Sequence, residues 1–133
     1  MYIERALEPL VRRYSENFKI VAVTGPRQVG KTTMLKHLME EEAESGVDRV
    51  YVTLDNTAIL QTAKEDPALF LQRYRPPVLI DEIQKAPELL PYIKMIVDER
   101  DDCGSVWITG SQPLHLMKAV SESLAGRVGI VEM

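Results

Sequence analysis

The sequence predicts one α/β domain over residues 1–133, a three-layer α/β/α sandwich around a parallel sheet of about five strands. Two observations lead to this prediction. Short apolar runs rich in β-branched residues recur along the chain, as expected for strands buried on both faces. Segments with helical periodicity separate them, which is typical of parallel sheets with crossover helices. The expected strands are residues 19–24, 50–54, 78–80, 106–109 and 128–131.

Composition limits the class of protein. The chain has 133 residues, of which 45% are hydrophobic and 27% charged, which suits a single globular domain with a buried core. The formal net charge of −4 lacks the basic footprint of a nucleic-acid binder. One cysteine, Cys103, excludes an intrachain disulfide framework and fits a reducing compartment, so we expect a cytoplasmic protein. No apolar run is long enough for a membrane helix, and no membrane partner is expected.

The expected helices fall between these strands. Apolar residues at helical spacing predict an amphipathic helix over residues 3–14, a second helix that begins at Lys31, and another over residues 89–97. Right-handed crossovers between parallel strands gather the carboxyl ends of the strands at one edge of the sheet. We therefore expect the functional residues at that edge.

The first predicted strand runs into a glycine-rich loop with the pattern G-x-x-x-x-G-K-S/T. Gly25 and Gly30 allow several backbone N–H groups to converge on phosphate oxygens. Lys31 would contact the β- and γ-phosphates of a nucleotide, and the Thr32 hydroxyl would supply one ligand to Mg²⁺. The strand before and the helix after this loop favour nucleotide binding over a structural turn. The predicted nucleotide-binding residues are Gly25, Pro26, Arg27, Gln28, Val29, Gly30, Lys31, Thr32 and Thr33.

Two adjacent carboxylates end the third predicted strand. Asp81 would hold the Mg²⁺ shell, and Glu82 is suited to deprotonate a water that attacks the γ-phosphate. Gln84 follows two residues later, and we hypothesise that it positions Glu82 or reports the nucleotide state. No Asn-Lys-x-Asp motif for guanine occurs, which argues against a GTPase. A small-molecule kinase is the next alternative, but it must exclude water, and Glu82 counts against it.

Two more polar residues follow later strands. Ser111 comes just after the fourth strand, where its hydroxyl could hydrogen-bond the attacking water or the γ-phosphate; the other interpretation is turn chemistry. Arg127 precedes the last strand and could neutralise charge on a transferred phosphoryl group; the other interpretation is a surface salt bridge. The residues themselves leave both pairs of alternatives open.

With these motifs in order, the chain resembles the AAA-type ATPases, and in particular a prokaryotic family of AAA ATPases that carry a C-terminal domain of the DUF4143 type. The resemblance covers nearly the whole chain. The stretches that carry it are Gly25–Thr32, Leu54–Asp55, Asp66–Pro67, Ile80–Gln84, Thr109–Gln112 and Ser121–Arg127.

The resemblance implies a P-loop NTPase fold with strand order 5-1-4-3-2 and an ATPase that requires ATP and Mg²⁺. It also implies that Ser111 stands at the sensor 1 position and that Arg127 completes the site of a neighbouring subunit in a homo-oligomer. AAA proteins continue beyond the last strand into a helical lid, so we expect a fragment that lacks this lid and a C-terminal effector domain. The predicted function is hydrolysis of Mg-ATP to ADP and phosphate. The alternative is a nucleotide-gated binding switch with little turnover.

Overall fold

Five strands form one sheet in the computed structural model, which describes the backbone of residues 2–26, 30–111 and 113–133 and the side chains of residues 7–26, 30–111 and 118–133. The sheet order is β2-β3-β4-β1-β5, and every neighbouring pair is parallel. This is the predicted order 5-1-4-3-2 viewed from the other edge. The strands are β1 (Ile20–Thr24), β2 (Val50–Thr53), β3 (Val78–Asp81), β4 (Val106–Gly110) and β5 (Val128–Glu132).

Six helices lie against the sheet in the part of the chain that the structure describes. They are α1 (Tyr2–Asn17), α2 (Lys31–Glu44), α3 (Thr57–Glu65), α4 (Pro67–Arg73), α5 (Leu89–Asp98) and α6 (Pro113–Ser123), and a 3₁₀ turn spans Ile83–Lys85. The predicted helices correspond to α1, α2 and α5, whereas α3, α4 and α6 were not predicted. Among the described residues, no helix combines the length and the apolar character needed to cross a membrane.

The two short helices α3 and α4 begin at side-chain caps. Asn56 accepts a hydrogen bond from the Ile59 N–H at 3.1 Å at the start of α3, and Asp66 accepts one from the Leu69 N–H at 3.1 Å at the start of α4. Pro67 occupies the first turn of α4, where its missing N–H costs nothing. The Asp66–Pro67 stretch is therefore a helix start.

Alternate residues of the strands face two separate cores, as a three-layer sandwich requires. Ile20 and Ala22 of β1 pack in the larger core, together with residues of α3, α4, α5 and α6. Val21 and Val23 pack in the second core with residues of α1 and α2. The three-layer prediction is confirmed.

Arg49 fastens α2 to the amino-terminal edge of the sheet. Its guanidinium, almost fully buried, donates two hydrogen bonds to Glu42, at 2.7 and 2.9 Å. It also donates to the carbonyl oxygens of Gly104 at 2.8 Å and Ser105 at 3.3 Å. Its planar group lies over the Trp107 ring, 3.8 Å from the ring centre. The buried charge is thus paired and hydrogen-bonded, as a buried charge must be.

Candidate functional site

The glycine loop joins β1 to α2 at the carboxyl edge of the sheet. Gly30 adopts φ 87°, in the left-handed region that favours glycine, and its carbonyl accepts the first helical hydrogen bond, from the Met34 N–H. Lys31 begins α2 and is buried, and its Nζ lies 3.4 Å from the Pro26 carbonyl oxygen. The predicted nucleotide-binding residues Arg27, Gln28 and Val29 lie outside the described residues.

The Asp81 carboxylate is surrounded by four hydroxyl groups. Thr32 of α2 donates to its Oδ1 at 3.0 Å, and Thr109 of β4 donates to the same oxygen at 2.5 Å. Tyr51 and Thr53 of β2 each donate to Oδ2 at 3.2 Å. The carboxylate is only 6% exposed, and these hydrogen bonds compensate for the contacts with water that it loses on burial. Asp81 thereby joins α2 and two strands at a single point.

Strand register produces this arrangement. Thr53 pairs with Asp81 across β2 and β3, and Ile80 pairs with Ile108 across β3 and β4, so that Thr109 lies beside Asp81. Side chains two residues apart on a strand share a face, which places Tyr51 on the same face as Thr53. We did not predict any role for Tyr51, Thr53 or Thr109. The period-two spacing of residues 51 and 53 was a signal, but it does not identify the carboxylate they face.

Tyr51 also has a perturbed acidity. Partial burial, and then the neighbouring Asp81 charge, raise the pKa of the Tyr51 phenol to about 12. The Lys36 ammonium lies 4.2 Å from the centre of the Tyr51 ring, a cation–π contact. Tyr51 consequently remains a hydrogen-bond donor to Asp81 throughout the physiological pH range.

Glu82 turns away from the β3 direction. It adopts φ 63° and ψ 50°, a left-handed conformation that is uncommon for a residue with a side chain. Its N–H donates to the Thr109 hydroxyl at 3.0 Å. Its Oε1 accepts hydrogen bonds from the Ser111 hydroxyl at 2.9 Å and from the Gln84 amide at 2.6 Å. The two predicted residues Glu82 and Ser111 are thus in direct contact.

An open pocket of about 340 Å³ brings six of the predicted site residues together. One oxygen each from Asp55, Asp81 and Glu82 lie within 4.8 Å of one another beside this pocket. Asp55 was not predicted to have a role, and it also forms an ion pair with Lys85 at 2.5 Å. The pocket is lined by Gly30, Lys31, Thr32, Thr33, Asp55, Asp81 and Glu82.

Arg127 lies at the amino-terminal ends of the strands, at the opposite end of the sheet from the glycine loop. Its carbonyl accepts a hydrogen bond from the N–H of Ile20, the first residue of β1, whereas the glycine loop follows the last residue of that strand. A five-residue strand separates the two edges by roughly 15 Å. The Arg127 guanidinium donates to both oxygens of Asp98, at 2.6 and 2.9 Å, and holds the pKa of that carboxyl below its usual value. The structure does not bring Arg127 to the pocket of its own chain.

Two curated proteins are similar to this chain in sequence. They are the uncharacterized proteins Mb2031c of Mycobacterium bovis and Rv2008c of Mycobacterium tuberculosis, each 34% identical over 123 residues. The alignments cover 92% of this chain and 26% of each relative. The chain therefore spans about a quarter of the length of these relatives.

Solved structures show the same fold. AMPPCP-bound DnaA from Aquifex aeolicus aligns with a TM-score of 0.65 and 16% identity, covering 97% of this chain and 46% of that chain. A crystal structure described as a DNA replication initiation factor aligns with a TM-score of 0.58 and 14% identity, covering 96% and 44%. At these identities the likeness is one of fold. The fold is that of a P-loop NTPase, with the glycine loop after β1 and the acidic pair at the end of β3.

A family model described as AAA domain matches residues 17–133. This span includes every residue that lines the pocket, from Gly30 to Glu82. The chain belongs to the AAA domain family.

Proposed function

We propose that this AAA domain binds Mg-ATP and hydrolyses it to ADP and phosphate. The observation that carries the proposal is the hydrogen bond from the Thr32 hydroxyl to Asp81. Because the O–H of Thr32 donates a hydrogen bond to Asp81, the lone pairs of the Thr32 oxygen are available to a cation. Hydroxyl and carboxylate oxygens are the ligands that Mg²⁺ prefers, so Thr32 and Asp81 fit the role of holding it. When bound, Mg²⁺ would neutralise charge on the β- and γ-phosphates.

The glycine loop is the proposed phosphate site. The Lys31 side chain is buried, and a buried ammonium is costly unless an anion or several acceptors compensate it. A phosphate group bound at the loop would supply that anion. The first N–H groups of α2, which follow Gly30, add the positive end of the helix dipole. We infer that residues 25–33 bind the nucleotide through these groups.

Glu82 is the proposed general base. In this reaction the water oxygen bonds to the γ-phosphorus, the bond to the bridging oxygen of ADP breaks, and the carboxylate accepts the water proton. The hydrogen bonds that Oε1 accepts from Ser111 and Gln84 support a fixed orientation of this carboxylate. Ser111 is the proposed sensor of the γ-phosphate, since its hydroxyl is in contact with the base.

Nucleotide binding is testable by thermal unfolding with ATP, GTP or ADP, each with and without Mg²⁺. A ligand at about 100 times its Kd adds roughly 2.7 kcal/mol to the folded state. We expect ATP with Mg²⁺ to stabilise the wild type and GTP to do so much less. Lys31→Ala should abolish the shift, whereas Lys94→Ala, which removes the same charge from an exposed position on α5, should retain it. A full shift in Lys31→Ala would refute the proposed phosphate site.

Hydrolysis is testable by phosphate release. Glu82→Gln should retain the ATP-dependent thermal shift and lose turnover by roughly 10² or more. A shift in the wild type without phosphate release would favour the nucleotide-gated binding switch. Transfer of phosphate to an added hydroxyl compound, with little release to water, would favour the kinase.

Two further proposed roles involve a neighbouring subunit and a C-terminal domain. We propose that Arg127 acts on the site of a neighbouring subunit in a homo-oligomer, because its position at the far edge of the sheet removes it from its own pocket. Such a role requires the Arg127–Asp98 ion pair to open. We also propose that turnover drives a C-terminal effector domain, of the DUF4143 type by resemblance. Mixing Arg127→Ala subunits with Lys31→Ala subunits tests the first role by phosphate release. Only the mixture would contain sites in which Lys31 of one subunit and Arg127 of its neighbour are both intact.

A further inference from the structure

Gln84, in the 3₁₀ turn after β3, has hydrogen-bond partners for its amide nitrogen but none for its amide oxygen among the described residues. The Gln84 amide nitrogen lies 2.6 Å from the Glu82 Oε1 and 3.1 Å from the Ser111 Oγ, so both of its N–H groups have acceptors. The Ser111 hydroxyl donates to the same Glu82 oxygen at 2.9 Å. Gln84, Ser111 and Glu82 thus form a closed triangle of polar atoms, and two donors converge on one carboxylate oxygen.

The other end of the Gln84 amide is buried without a partner. Its Oε1 is one of two buried side-chain oxygen or nitrogen atoms that have no hydrogen-bond partner among the described residues. Leaving a buried acceptor unpaired is unfavourable. Rotating the amide by a half turn would place this oxygen against the Glu82 carboxylate, where two acceptors repel. The negative charge of Glu82 therefore fixes the orientation of Gln84, and Gln84 in turn fixes one oxygen of Glu82.

The anchored carboxylate still reaches the pocket. One Glu82 oxygen lies within 4.8 Å of carboxylate oxygens of Asp55 and Asp81, and Glu82 is among the residues that line the pocket. A side chain with three rotatable bonds has several rotamers, and only some direct a carboxylate at a water next to the γ-phosphate. Two donors on one oxygen select among them.

We propose that Gln84 is a positioning residue, which holds the Glu82 carboxylate in the orientation needed to deprotonate the attacking water. Gln84 acts only through Glu82, and it has no part in binding the nucleotide. This role presupposes the hydrolysis proposed above.

The turnover experiment compares Gln84→Met with the wild type. Methionine preserves the length and volume of the side chain but has no N–H donor. We expect kcat to fall by about 10- to 100-fold, while KM and the ATP-dependent thermal shift stay within about twofold. Gln72→Met, the same substitution at an exposed position on α4, should leave both constants unchanged. An unchanged kcat in Gln84→Met, or a change confined to KM, would overturn the role.

A second comparison separates positioning from damage to the fold. In a Glu82→Gln background no carboxylate remains to be positioned, so adding Gln84→Met should not lower the residual turnover further. A structural defect would lower turnover by the same factor in both backgrounds, and that result would overturn the role.

A measurement without turnover completes the test. In ¹⁵N NMR spectra, the two side-chain N–H signals of Gln84, assigned by their loss in Gln84→Met, should move and exchange faster with solvent in Glu82→Ala. Unmoved signals would overturn the contact itself. If these signals move but the wild type releases no phosphate, the contact exists while the proposed hydrolysis and the role that depends on it both fail. The two failures are therefore distinguishable.

Discussion

Thr109→Val removes a hydroxyl that connects the Asp81 carboxylate to the backbone of Glu82. Thr109 is fully buried, donates to Asp81 at 2.5 Å and accepts the N–H of Glu82 at 3.0 Å. Valine has nearly the same shape but no hydroxyl. The substitution therefore takes one donor from a charged acceptor and leaves one buried N–H without a partner.

Each lost contact has a typical magnitude. A hydrogen bond to a charged group contributes about 1.5–3 kcal/mol, and an unsatisfied buried donor costs about 1–3 kcal/mol. Asp81 keeps three other hydroxyl donors, so we expect the lower part of the summed range, about 3 kcal/mol. For a chain of 133 residues this corresponds to a fall in Tm of roughly 10 °C.

The matched control is Thr109→Ser, which keeps the hydroxyl and loses only a buried methyl group, at a cost of about 1 kcal/mol. Urea unfolding followed by circular dichroism gives the free energy of unfolding of each variant. We expect Thr109→Val to be less stable than Thr109→Ser by about 2 kcal/mol. If the valine variant were as stable as the serine variant, the hydrogen bonds of the Thr109 hydroxyl to Asp81 and to the Glu82 N–H would not stabilise the fold.

Three further predictions concern other contacts of the fold and the site. Arg49→Met should lower the free energy of unfolding by roughly 2–4 kcal/mol, and a double-mutant cycle with the partly exposed Glu42, changed to Gln, should show coupling of about 1 kcal/mol or more. Additive effects of the two substitutions would contradict an energetic interaction between these side chains. Tyr51 has a pKa raised to about 12 in the folded state, so its contribution to stability is complete below pH 10 and is lost as the pH rises towards 12. In urea unfolding, the free energy of unfolding of Tyr51→Phe should therefore fall less than that of the wild type between pH 9 and pH 11.5. Equal falls in the two proteins would refute the raised pKa of Tyr51. Thr32→Ser should preserve the Mg²⁺ dependence of the ATP-induced thermal shift and Thr32→Val should abolish it; the same dependence in both variants would exclude the hydroxyl as a ligand.

The strands could be predicted because each is a short apolar run, and the glycine loop because its residue pattern is specific. The helices α3 and α4 could not be predicted by periodicity, since they have only 9 and 7 residues. Their caps, Asn56 and Asp66, were visible in the sequence as helix-start signals. Sequence reasoning weighted the periodic pattern and overlooked the caps.

The contacts around the carboxylates depend on information that one sequence does not contain. Thr53 and Thr109 contact Asp81 only because of the register of three strands. Each threonine is 28 residues away from Asp81 along the chain. Arg127 pairs with Asp98 because the end of α5 packs near the start of β5, 29 residues away in the sequence. The surface salt bridge that the residues left open as an alternative is present in the structure, while the role in a neighbouring subunit stays a prediction.

Asp81 and Glu82 are neighbours in sequence, yet they occupy different environments. Asp81 is still in the strand, so its side chain points towards α2 and meets Thr32. The left-handed backbone of Glu82 turns the chain and brings its carboxylate to the end of β4, next to Ser111. This conformation costs about 1–2 kcal/mol for a residue other than glycine. The hydrogen bond from the Glu82 N–H to Thr109 and those to its carboxylate offset that cost. One unusual backbone conformation thereby places two adjacent acidic residues in different environments, as the roles we propose for Asp81 in holding a cation and for Glu82 as a base require.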